Sequence, residues 1–162
     1  MDEDQLAAAW ASIDEYEDGD EPRFRALIDS LVADAPAAVA AFERAAAYDS
    51  TGRPDRAVEL YRAALDAGLA GYRRRRAVIQ LASSLRNLGQ PERSLELLTA
   101  ERDRAVGPEE ATLDDAVRTV LALTLVDLGR EREAASVAIG ALAPHLPRYQ
   151  RSMAAYARAL VE

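Results

Sequence analysis

A leucine–glycine step at Leu88–Gly89 separates two amphipathic helical patterns between Arg75 and Leu98, and no other feature limits the fold as strongly. Val78, Leu81, Ala82, Leu85 and Leu88 recur at spacings of three and four, so they share one stripe of a helix. Gly89 ends that helix because glycine enters the left-handed backbone of a C-cap without a Cβ clash. Pro91 opens the next helix at a position whose N–H has no partner in any case. The second helix turns Ser94, Leu95 and Leu98 inward. A hairpin of this size cannot cover its own apolar stripes and requires neighbours built alike.

Such neighbours are present on both sides. Residues 37–69 run helix, Gly52, Pro54, helix, ending on Gly68 and Leu69, a C-cap glycine followed by an apolar contact. After a loop at Val106, Gly107 and Pro108, a third pair starts near Thr112, where Thr112 to Asp115 has the form of a capping segment, and turns at Gly129. The turn glycines Gly52, Gly89 and Gly129 lie 37 and 40 residues apart. Ahead of them, residues 5–17 set Leu6, Trp10, Ile13 and Tyr16 on one stripe. Beyond Gly19, the Asp20–Pro22 start leads into Phe24, Leu27, Ile28, Leu31 and Val32. Behind them, Pro144 and Pro147 bracket a break, and a last helix places Tyr149, Met153, Tyr156 and Leu160 on one side, suited to closing the end of a stack.

The composition agrees with helices that approach closely. Apolar residues make up 49% of the 162, only 6% are aromatic, and no β-branched run suggests a strand. All 20 basic residues are arginine, which fits a GC-rich bacterial source. The net charge of −8 argues against nucleic acid as a partner. With no cysteine there is no disulfide or thiolate chemistry, and the acidic start MDEDQ and short apolar runs predict a cytoplasmic protein with no membrane association.

The three pairs resemble tetratricopeptide repeats, two-helix units with a period near 34 residues. The family pattern falls on Ala45, Tyr48, Gly52, Ala57, Tyr61 and Ala64 in the first unit. The second supplies Ala82, Leu85, Gly89, Ser94 and Leu98 but has Glu101 where alanine belongs. The third supplies Ala122, Leu125, Gly129, Ala134 and Ala141 but has Ala138 where an aromatic belongs. The resemblance implies an all-α superhelix of antiparallel helix pairs, with about nine helices in all. The whole of 1–162 then reads as one domain: a capping helix pair over 1–35, three units over 37–143 and a capping helix over 148–162.

In this family the first helices of the units line a concave groove. The resemblance places Phe42 and Asp49 there from the first unit, Arg76, Ile79, Ser83, Arg86 and Asn87 from the second, and Thr119, Leu123, Val126 and Asp127 from the third. It therefore implies a non-catalytic module that binds a peptide or helix of another protein, with Arg86 and Asn87 as polar anchors. The competing expectation pairs Arg86 with Asp49 or another acid and fills the groove with the chain's own terminal helix. A different function class is a self-assembling, homodimeric scaffold packed through Leu123, Val126 or the Tyr149, Met153 and Tyr156 stripe.

The remaining residues favour simpler roles. Arg73 to Arg76 diverge around a helix and read as a solvated helix start with salt bridges to the acidic surface. His145, the only histidine, lies between prolines without partners for a metal or a nucleophile. Trp10 reads as a core or capping residue. The isolated turn glycines form no phosphate loop, and neither cofactor nor metal is expected.

Overall fold

The recurrent glycine turns close in one geometry. In the computed structural model, which describes residues 1–17 and 19–162, Gly52, Gly89 and Gly129 take φ of +73°, +73° and +69°. At each, the glycine N–H donates three residues back, to Asp49, Arg86 and Val126, at 3.2, 3.0 and 2.9 Å. The following N–H reaches five residues back, to Tyr48, Leu85 and Leu125, at 2.9, 2.9 and 2.8 Å. This pair of bonds is the Schellman motif, which satisfies carbonyls that a helix end would otherwise leave unpaired. The next helix then begins at once, at Pro54, Pro91 and Glu131.

The described residues form two compact units, Met1–Ser84 and Leu85–Glu162. The first contains α1 (Glu3–Ala11), α2 (Glu21–Leu31), α3 (Ala37–Ser50), α4 (Pro54–Asp66) and most of α5 (Gly71–Asn87). Asp2 caps α1 by accepting the N–H groups of Asp4 and Gln5 at 3.0 and 3.2 Å. The apolar core gathers Leu6, Ala9, Phe24, Ile28, Val32, Ala40 and Ala47. Trp10 and Tyr16 stand edge-on to Phe24, with ring centroids 5.3 and 5.2 Å away. Helix α3 buries Ala45, Ala46 and Ala47 around its surface, Ala47 within the cluster just named. Such small side chains let neighbouring helices approach, and α4 brings in Ala57, Tyr61 and Ala64.

The second unit holds α6 (Pro91–Asp103), α7 (Pro108–Ala111), α8 (Asp114–Asp127), α9 (Glu131–Leu142), a 3-10 turn (Ala143–His145) and α10 (Gln150–Ala159). Helices α6 and α8 meet where the hydroxyls of Ser94 and Thr124, both wholly buried, bond at 2.9 Å. α9 packs on α8, and α10 on α9. The described residues are thus helical with ten α-helices and no strand, as the periodicity and the repeat pattern require.

Several sequence expectations are corrected. The 5–17 pattern breaks at Ser12, whose N–H and hydroxyl both return to earlier carbonyls, and a 3-10 turn (Ile13–Glu15) follows α1. α5 starts at Gly71, before Arg75. The arginine run lies in the first turns of α5 and Arg73 makes the expected salt bridges, to Glu3 and Glu43, but the run is not solvated throughout: Arg75 is buried, with 1% of its surface exposed. Thr112 does not cap α8. Its hydroxyl donates 2.6 Å to Glu109 and closes α7, a turn that Pro108 opens where a loop was expected. Leu88 sits at the turn, 38% exposed. The terminal stripe is split: Met153 and Leu160 are half-buried, but Tyr149 and Tyr156 face outward, 71% and 64% exposed, and Ala157 is the buried residue of α10. Tyr149 precedes the helix in a left-handed conformation, φ +69°, and small Ala157 is the residue that allows close approach to α9.

The two departures from the repeat pattern have different outcomes. Glu101, 2% exposed, is held by Arg104 at 2.9 and 3.1 Å, and Arg104 also binds Glu110 of α7. A buried carboxylate persists only when paired, so the arginine brings the α7 turn against the end of α6. Ala138 has no such compensation.

Candidate interaction surface

The first unit encloses most of its groove candidates. Phe42 is wholly buried, its ring centroid 5.2 Å from the Arg76 guanidinium carbon, which lies over the ring face and keeps the arginine half-buried. Ile79 is buried and Ser83 half-buried. Asp49 accepts hydrogen bonds from the Tyr61 hydroxyl at 3.3 Å and the Ser84 hydroxyl at 2.9 Å. Burial raises its carboxyl above the ordinary aspartate range, against the opposing pull of those two donors. Tyr61 is pushed upward too, first by burial and then by the negative charge of Asp49. These polar groups tie α3 to α4 and α5.

A second polar cluster lies at the first helix. Glu43, 2% exposed, accepts the Trp10 indole N–H at 3.0 Å and the Arg73 Nε–H at 3.2 Å, and Arg73 also reaches Glu3 at 2.5 Å. Trp10 therefore serves in packing and anchoring, the role read from its stripe.

In the second unit Arg86 forms an ion pair with Asp127 at 2.5 Å and donates to the Asn87 side chain at 3.2 Å. Its acidic partner comes from another groove candidate and not from Asp49. The Thr119 hydroxyl turns back to the Asp115 carbonyl at 2.7 Å. That leaves an apolar strip on α8 open to solvent, with Leu123 45% and Val126 50% exposed.

This strip forms one wall of a trough of about 600 Å³ between α8 and α9. Thr119, Ala122, Leu123 and Val126 face Ala134, Ala135, Ala138, Ala141 and Leu142 across it, while Asp115, Glu131 and His145 supply its charged and titratable rim. The cause of the trough is legible in the repeat. Tyr61 and Leu98, at the positions corresponding to Ala138, are wholly buried and fill the space between helices. An alanine there removes the filling side chain without closing the gap. The α9 wall was not among the groove candidates, although the missing aromatic at Ala138 was visible and marked the place. His145 bonds Asp115 through Nε2 at 2.7 Å and links the 3-10 turn to the start of α8.

Among the described residues no group of three or more histidine, aspartate or glutamate side chains is placed to hold a metal ion. No helix among them is long and apolar enough to cross a membrane. A family model described as Tetratrico peptide repeat matches residues 38–160. No curated protein gives a significant match.

Proposed function

Since the chain belongs to the tetratricopeptide repeat family, whose members generally mediate protein–protein interaction, we propose that it is a non-catalytic module that seats a peptide or helix of another protein in the α8–α9 trough. The observation that carries this reading is the pair Leu123 and Val126, large apolar side chains about half exposed beside a concave alanine-lined surface. Apolar surface of that kind gains free energy when a partner side chain displaces its water, at about 25 cal/mol per Å². At the rim Asp115 is already paired, with Arg118 at 3.3 Å and His145 at 2.7 Å, so Glu131 is the acid that favours a segment carrying arginine or lysine beside its apolar residues. Arg76 and Arg86 are already engaged, by Phe42 and Asp127, so they act mainly as supports of the surface.

Leu123→Asp tests this directly, because a residue so exposed can be replaced without opening the core. Proteins captured from a lysate by the wild type should be lost from a Leu123→Asp chain of unchanged helical circular dichroism. An identical bound set from both chains removes the trough from the binding surface.

A further inference from the structure

Two surfaces of the second unit are uncovered at once. One is the trough, apolar along its floor, with Glu131 at its rim beside the already paired Asp115. The other is the outer face of α10, where Tyr149 and Tyr156 stand two turns apart and flank a hollow over Ser152 and Ala155, with Arg148 and Arg151 alongside. The segment from Arg148 to Glu162 carries three arginines and one acid in a chain of net charge −8. Among the described residues none of those three arginines forms an ion pair. Apolar and charge character are thus complementary between the two surfaces: aromatic beside cationic on α10, apolar beside anionic at the trough.

A chain cannot join them within itself. α10 is held to α9 through buried Ala157 and through the Arg132 Nε–H, which donates 3.1 Å to the Leu160 carbonyl, and this attachment directs both tyrosines away. We propose that the trough is occupied by α10 of a second copy, with Tyr156 filling the space left by Ala138, and that the exchange is reciprocal. Tyr61 shows in the first unit that a tyrosine is the size of side chain this position takes. Reciprocity closes the assembly as a two-fold dimer and doubles the buried area toward the roughly 800 Å² per partner of a stable interface. This inference rests on the trough being a seat for a helix, and it names the occupant.

Sedimentation velocity of the purified full chain tests it without any other protein present. The wild type should sediment at twice the 17.6 kDa chain mass, and both Ala138→Tyr and Tyr156→Ala should sediment at 17.6 kDa with unchanged helical content. A wild type that stays monomeric overturns the inference, as does a dimer that survives both substitutions. A monomer that still captures a cellular protein through Leu123 sinks this inference and leaves the interaction reading standing. A dimer whose capture is indifferent to Leu123→Asp does the reverse.

Discussion

At Glu43 a single carboxylate joins three helices, because it accepts from Trp10 of α1 and Arg73 of α5 while its own backbone lies in α3. Glu43→Ala leaves an indole N–H and part of a guanidinium without their acceptor in a region closed to water. The expected loss is about 2 kcal/mol, below the figure for a fully buried pair because Arg73 keeps 30% exposure. Denaturant unfolding followed by the fluorescence of Trp10, the one tryptophan, measures it, and a midpoint equal to the wild type refutes the tether. Asp49 gives a pH signature. Burial lifts its carboxyl above the ordinary range, so the folded chain binds that proton more tightly than the unfolded chain. Stability contributed at this site therefore falls as pH rises from about 4 through the raised value, and it is recovered on acidification. Asp49→Asn removes the titration. The difference in stability between wild type and variant should drift against the wild type across that window, and a flat difference refutes it.

At the scale of the element, the hairpins are local chemistry. Glycine in a left-handed turn, the Schellman pair of bonds and an immediate helix start recur at Gly52, Gly89 and Gly129, with the next helix preceded by Arg53, Gln90 and Arg130 at φ near −120°, −118° and −109°. No atom lies within 4 Å of a Cβ placed on Gly89, so Gly89→Ala meets no steric block and registers backbone strain alone. The expected destabilisation is about 1 kcal/mol, read as a lower thermal midpoint, with Gly89→Asn nearer the wild type. These turns could be read from glycine and proline because each is determined within about six residues. The start of α5 and the turn α7 could not. Arg75 is buried although its run reads as surface charge, and Arg104 bridges Glu101 and Glu110 only because the chain turns back between α6 and α7, which spacing alone does not specify.

For the molecule as a whole, burial is uneven. α3 buries Ala40, Phe42, Glu43, Ala45, Ala46 and Ala47, whereas α10 buries only Ala157 among its residues. In the monomeric Tyr156→Ala chain, opening α10 exposes little apolar surface and breaks few contacts, so its amides there should exchange at least about tenfold faster than those of α3 in native-state hydrogen exchange. Equal protection in that chain would show that α10 is held as firmly as the core. The all-α class, the paired helices, the turn glycines and the family were legible in the sequence, because periodicity, capping and small-residue spacing act over one or two turns. The open face required tertiary structure. Ala138 marks a missing aromatic, but whether neighbours close over such a gap depends on how α8, α9 and α10 pack. The same holds for Tyr149 and Tyr156, since a stripe on α10 fixes which residues share a side and the seating of Ala157 decides which side meets water.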